Sequence, residues 1–454
     1  NDIVLPFRDS KDRQFRRNSY DSCAFAKGEL MAGFVHGRPR TTDYTCFSMH
    51  VDDKFVAVSG LKQLEEFQQM LDMHNIKYTI EPMTQMLGMR VHYTRHDPLA
   101  GLSGKLALDH DQYVIDAYNS VRKHELIDQS RTSPLNIPLT EEIRKKMEEQ
   151  EEPEFDRERY KLFRKILGKV QHCSQYTHPE ITTAVSLVSQ RMMNPSLLDV
   201  SAAFGILRYL YGTVDDDRKR LTITHDPKFD NPECKQNPLH MVSDADLSNC
   251  PKTRRSRTGF GGFLFSNLAA WKSQKQTQVS LSTCESEYVA LSSCAQFAKW
   301  FRGLVSDLGV LLSYCEPVVI LTDSQSAMKL AHADDHRSNK YSRHIQQRVC
   351  WLRELVLDGS IRIAFIEGSD NTADIFTKVL GDKKFKRFRK KLLHGDKRLF
   401  REQLNLICVM QYLSATANPL LSIPEHACNC HRRNFHCIST RESPTLLHCA
   451  RDLD

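Results

Sequence analysis

The chain has 454 residues, of which 40% are hydrophobic and 26% charged, with a net charge of +7. This length exceeds what one hydrophobic core supports and leads us to expect two or three domains. No apolar run approaches the roughly 18 residues that span a bilayer, which argues against a membrane role, and the mild basicity suits a polyanionic partner without requiring one.

Fourteen cysteines are scattered without a small-domain disulfide framework, and no basic flank precedes an apolar run near Asn1. The expectation is a reducing compartment, cytoplasm or nucleus, without secretion.

In chain order, the first zone (1–130) opens with a strand–turn–strand pattern from Cys46 to Gly60 that carries Asp52 and Asp53 at its turn. A helix is predicted from Leu61 to His74 and a strand from Met86 to Tyr93. The charged stretch from Glu141 to Arg159 reads as a solvated linker or helix face. From Tyr160 to Thr213, apolar residues recur at helical spacing, as in Phe204, Ile206, Leu207 and Leu210. These helices (131–235) are expected to append to the first domain.

The zone at 236–382 reads as a compact α/β unit. Short strands are predicted at Met241–Ala245, Phe260–Phe265 and Leu268–Lys272, followed by a helix from Ser282 to Leu308. That helix has an apolar stripe at steps of three and four: Tyr288, Leu291, Ala295, Ala298, Phe301, Val305 and Leu308. Then come a strand at Val318–Leu321, a helix from Ser324, a helix at Ile345–Leu357, a strand at Ile361–Ile366 and a last helix opened by Asn371. Residues 383–454 begin with the basic run KKFKRFRKK and end rich in Cys and His, and are expected to be a disordered tail. Its Cys428, Cys430, His431, His436, Cys437, His448 and Cys449 match no standard zinc spacing.

Four acids fall at element ends in the third zone: Asp244, Glu287, Asp323 and Asp374. Acids at such buried places are costly unless paired or bound to a cation. If the four converged, they would make a hard-oxygen site for two Mg²⁺ ions about 3.5 to 4 Å apart, with Mn²⁺ as a substitute. Spacing leaves alternatives open. Asp246 faces the same side of the strand as Asp244, and Asp374 also suits a helix N-terminus. Glu285, two positions from Glu287, lies about 200° away around the helix.

The element order is that of a ribonuclease H fold. The runs SDADLSNCPKTRRSRTGFGGFLF, STCESEYVALSSCAQFAKWF, TDSQSAMKLA, SRHIQQRVCWLREL and GSDNTADIFTKVL, in that order, resemble the ribonuclease H domain of copia-type retrotransposon Pol polyproteins. Upstream, NSYDSCAFAKG, MHVDDKFVAVSG, QMLGMRV and FRKILGKVQHCSQYTHPEI are similar to the C-terminal half of the same family's reverse transcriptase. The resemblance implies a truncated reverse-transcriptase palm, a helical thumb or connection and a mixed-sheet ribonuclease H domain. It also implies Asp244, Glu287, Asp323 and Asp374 as catalytic acids and Mg²⁺ ligands. Asp52 and Asp53 become metal-holding acids of the palm hairpin, and His344 a packing or substrate-side residue.

The substrate implied is an RNA–DNA hybrid, and the partner implied is the rest of Pol, in a virus-like particle if the element is active. Lys383, Lys384, Lys386, Arg387 and Arg389 are candidate phosphate contacts. The chain departs from the family pattern in having His50 where a Tyr is usual, and in a longer segment between the SCAF motif and the hairpin. The family's earlier polymerase motifs, with the first metal-binding aspartate, are missing, so no autonomous DNA synthesis is expected. The alternative reading is an inactive relic or a domesticated nucleic-acid-binding fragment.

Overall fold

The computed structural model describes residues 4–8, 14–21, 23–27, 30–31, 45–50, 53–58, 61–81, 83–86, 88–94, 105–224, 239–248, 250, 252–308, 310–311, 317–332, 343–395 and 436–439. The N-terminal part is built from short strands: β1 (Val4–Arg8), β2 (Gln14–Arg17), β3 (Ala24–Lys27), β4 (Leu30–Met31), β5 (Thr45–His50) and β6 (Asp53–Val58). Helix α1 (Leu61–Met73) and β7 (Thr79–Glu81) follow. β5 and β6 form the expected hairpin, with His50 opposite Asp53. The apolar face of α1, through Leu64, Phe67, Met70 and Leu71, buries against Phe25, Phe47, Val56 and Val58 of this sheet.

A second sheet has the order β11-β10-β9-β8. It comprises β8 (Gln85–Met86), β9 (Met89–Thr94), β10 (Lys105–Asp109) and, much later, β11 (Leu221–Thr224). The strand expected from Met86 to Tyr93 is therefore a hairpin. Gly88, at φ +76°, provides the reversal, a conformation that side-chain-bearing residues rarely adopt.

Between β10 and β11 lies a helical body of α2 (Asp111–Asn119), α3 (Glu141–Glu149), α4 (Arg157–Tyr176), α5 (Thr182–Ser189) and α6 (Leu197–Tyr211). The charged stretch resolves into two parts. α3 is laced by Arg144–Glu148 and Lys146–Glu142 pairs at one-turn spacing, and Asp156 then caps α4. A full capping box of Ser196 and Asp199 opens α6.

The third part is a five-stranded sheet of order β14-β13-β12-β16-β17, made of β12 (Leu239–Asp246), β13 (Arg257–Leu264), β14 (Asn267–Lys275), β16 (Val318–Thr322) and β17 (Ile361–Phe365). The first three strands are antiparallel, and β16 and β17 run parallel to β12. This mixed sheet, with its helices, is the ribonuclease H-like arrangement that the element order predicts. On one face lie α7 (Thr283–Asp307), α8 (Gln325–His332) and α9 (Arg343–Leu357); the short β15 (Val310–Leu311) pairs with β4. The apolar stripe of α7 is wholly buried, from Tyr288 to Leu308. Its Leu, Phe and Val side chains each contribute about 1.5–3 kcal/mol on burial.

Three expectations need correction. The helical body packs on Val114, Tyr118 and Val121 of the first zone, as expected, but it also covers the other face of the ribonuclease H-like sheet. Val242, Phe263 and Leu268 pack into one core with Ile181, Val185 and Leu207. The physical reason is that β12–β14 are apolar on both faces, so both must be covered. The Trp271 indole Nε1 seals this contact by donating to the Ser174 carbonyl at 2.8 Å.

Second, Asn371 opens a five-residue 3-10 turn, Thr372–Phe376, and the last helix, α10 (Asp382–His394), starts six residues after it. Third, the basic run is not tail. It forms α10, which buries Phe385, Phe388, Leu392 and Leu393 between the helical body and the sheet. Of the residues beyond 395, only strand β18 (His436–Ser439), paired to β6 and β7, is described. The tail Cys and His side chains lie outside the described residues, as do Asp52 and the side chains of Asp53 and His344.

Candidate active site

Asp244 lies on β12, where it is opposite Gly259 of β13. Glu287 lies in the second turn of α7, and Asp323 immediately follows β16. β12 and β16 are adjacent and parallel, so their C-terminal ends bring Asp244 and Asp323 to one edge, and α7 swings Glu287 in from the side. One carboxylate oxygen from each of the three lies within 4.8 Å of the others. Asp244 is 1% exposed and Glu287 5%. One oxygen of Glu287, Oε2, is buried without a hydrogen-bond partner among the described residues.

The ambiguous neighbours separate cleanly. Glu285 is occupied at the start of α7, where its carboxylate accepts from the Leu281 amide at 2.9 Å and its own amide donates to Ser282 Oγ. Asp246 is in register with Arg257 and supports that buried guanidinium. Neither belongs to the three-acid group.

Asp374 is buried beside this group but enters it differently. It sits in the 3-10 turn, and both its oxygens are taken by ammonium groups, Oδ1 by Lys378 and Oδ2 by Lys384. Lys378 Nζ also contacts Asp244, at 3.2 Å to Oδ1 and 3.1 Å to Oδ2. Thr377 Oγ1 donates to Asp244 Oδ2. The structure therefore brings together Asp244, Glu287 and Asp323 directly and joins Asp374 to them through a lysine. The sequence reading missed Lys378, Thr377 and Asn371. The signal for Lys378 was its position four residues after Asp374.

Two close approaches hold this geometry. A side chain at Gly259 would place its Cβ 2.7 Å from Phe376 Cβ and 2.8 Å from the Phe376 backbone carbon, so only glycine lets the 3-10 turn press on β13. At Gly368 a Cβ would stand 2.9 Å from Asp323 Oδ2. Asn371 ties the parts together, since its Nδ2 donates to the Ser243 carbonyl at 3.0 Å and to Asp323 Oδ1 at 3.3 Å.

Crowding buried acids raises their proton affinity. Burial pushes the Asp244 carboxyl up to about 7; Lys378 opposes the rise, and Asp374 and Asp323 add to it. Burial likewise pushes Glu287 up to about 9, with Asp244 and Asp323 adding and Lys378 opposing. A cluster of hard oxygens with a bare buried lone pair and such raised proton affinities fits a divalent cation.

The chain is 27% identical over 378 residues to the retrovirus-related Pol polyprotein from transposon TNT 1-94 of Nicotiana tabacum, a match covering 83% of this chain and 26% of that protein. It is 25% identical over 274 residues to the Transposon Ty1-DR5 Gag-Pol polyprotein of Saccharomyces cerevisiae, covering 57% of this chain and 15% of that one. Its homologues are the Pol polyproteins of copia-type retrotransposons.

The chain spans about a quarter or less of these Pol polyproteins. Among solved structures, LC11-RNase H1 isolated from compost aligns with 31% of this chain and 94% of its own, at 12% identity and a TM-score of 0.25. No protein-family model matches the chain. Among the described residues, no helix is long and apolar enough to cross a membrane.

The basic candidates on α10 divide by what they already hold. Lys384 is committed to Asp374, Lys386 to Asp382, and Arg387 to Asp370. Arg389 donates to the Tyr209 hydroxyl at 3.2 Å. Lys383 is exposed at the N-terminal end of the helix.

Proposed function

We propose that this Pol-related chain is a nuclease that hydrolyses the RNA strand of an RNA–DNA hybrid with Mg²⁺, leaving a 3′-hydroxyl and a 5′-phosphate. The observation that carries the reading is the convergence of Asp244, Glu287 and Asp323 at the ends of adjacent elements, with a partnerless oxygen on Glu287. These three side chains would hold the cation, and Asp374 completes the acid set from beside Asp244. Bound divalent ions, Mg²⁺ or Mn²⁺, would supply an activated water and a counter-charge for the leaving oxygen.

The chain's own residues fix where this happens. Asn371 holds Asp323 and Thr377 holds Asp244, so neither carboxylate must be reorganised when substrate arrives. Burial of Asp244 and Glu287 keeps the site in a low-dielectric setting, where charge interactions are strong. The exposed faces of Lys383, Lys386 and Arg387 lie on the helix whose Lys384 reaches Asp374, a suitable place for phosphates of the duplex to bind. The setting we propose is cytoplasmic or nuclear, within a larger Pol assembly.

The test is cleavage of a labelled RNA–DNA hybrid in Mg²⁺ by the chain and by Asp323→Asn. The expected result is cutting by the first and loss of at least about a hundredfold in rate by the second, in line with removing a metal-holding group. A folded chain that binds the hybrid in a salt-sensitive manner without cutting it would replace the nuclease with a binding fragment.

A further inference from the structure

The acidic site is asymmetric. On one side Asp244, Glu287 and Asp323 present oxygens to one another, and Glu287 Oε2 is buried and partnerless. On the other side the space between Asp244 and Asp374 is filled by the Lys378 ammonium, which touches both carboxylates. Lys384 closes the outer oxygen of Asp374. Half of the acid set is thus open to a cation, and the other half already has one, covalently tethered to the chain.

The placement of Lys378 is local in origin. Its amide donates to the Asp374 carbonyl at 2.9 Å, an α-type bond that closes the 3-10 turn and brings the two side chains alongside. The Asp244 contact needs the turn to lie flat on β13, which Gly259 permits. The Lys378 side chain is 37% exposed, so its four-carbon stem has a way out toward solvent. A lysine ammonium and a divalent ion cannot both occupy the space between Asp244 and Asp374, because two cations packed there would repel.

Resting on the nuclease reading above, we infer that Lys378 is a built-in cation that holds the second metal position of the free protein and must swing out before a second divalent ion binds. The free chain then takes one ion, at Asp244, Glu287 and Asp323. The second enters only in exchange for the ammonium. Lys378 is a positioning residue in this scheme, which governs metal count and order of binding without touching substrate.

The experiment is a titration of the full chain with Mn²⁺, counting free ion by electron paramagnetic resonance, with no substrate present. The wild-type chain is expected to bind one ion tightly and a second more weakly by about tenfold or more. Lys378→Met is expected to tighten the second ion about tenfold and leave the first within about threefold. Lys378→Arg, which keeps the charge, is expected to retain the wild-type pattern.

An unchanged or weaker second ion in Lys378→Met overturns the inference while leaving the nuclease reading intact. Absence of any ion on either protein overturns both. Circular dichroism accompanies each titration, because removing the ammonium leaves two buried acids to repel. If Lys378→Met folds only with Mn²⁺, two ions per folded chain support the inference and one overturns it.

Discussion

Single atoms decide much of this site, and glycine positions show it best. Gly259 stands opposite Asp244 and against Phe376, where even one methyl group would overlap backbone. Gly259→Ala is expected to cost about 1–3 kcal/mol, the usual range for overpacking, read as a lower midpoint in urea unfolding. A change below about 0.3 kcal/mol would show that the turn can lift off β13 freely. The buried acids make a second prediction. Asp244 and Glu287 hold protons more tightly when folded than a free carboxyl near pH 4 does. For groups raised in this way, the stabilisation is complete below the unfolded value. It is lost as pH rises through about 7 and then about 9. Without metal, the melting temperature should fall from pH 5 to pH 9, and added Mg²⁺ should restore more of it at pH 9 than at pH 5. A Mg²⁺ effect independent of pH would contradict the assignment of these acids as its ligands.

At the level of elements, the sequence displayed periodicity better than it displayed partners. The stripe from Tyr288 to Leu308 located α7 almost to the residue, because a buried helix must repeat its apolar face. The strands of the third zone were equally visible. The 3-10 turn was not, since Asn371 caps a short turn and a long helix by the same hydrogen bond. Glu287 was separable from Glu285 by helical geometry, whereas strand pleating left Asp244 and Asp246 alike, and in the fold Arg257 opposite Asp246 sets them apart. For Lys378 the spacing from Asp374 was legible, but its contact with Asp244, 134 positions away, was not. A similar long-range link joins α10 to the helical body: Arg389 donates to Tyr209, and Tyr209 to Glu180, whose same oxygen lies 2.9 Å from His178 Nδ1. Tyr209→Phe removes the middle of this buried chain and is expected to cost about 1–3 kcal/mol, the penalty for stranding buried polar groups. Denaturant unfolding measures it, and a neutral result would mean that water replaces the hydroxyl.

For the molecule as a whole, the cores do not follow the divisions that the sequence suggests. Residues 236–382 read as a self-contained unit, yet one face of that sheet is covered by helices from 105–224 and by α10. Phe385, Phe388, Leu392 and Leu393 on α10 are all buried. At about 1.5–3 kcal/mol each, these four rival the roughly 5–15 kcal/mol that holds a whole domain together. A fragment of residues 236–382 is therefore expected to aggregate or unfold without cooperativity, while 83–395, which keeps β9 paired to β10, should give a single sharp thermal transition. Calorimetry of the two fragments checks this, and a sharp transition in the shorter one would refute the shared core.

The shared core also has a consequence in time. The helical body is complete at Tyr211, but α10, which closes it, begins only at Asp382. A ribosome adding about 5–20 residues per second takes on the order of 10 to 35 s to cross that interval. During those seconds the nascent helices carry an uncovered greasy face, so slower translation should increase the chain's demand for chaperones.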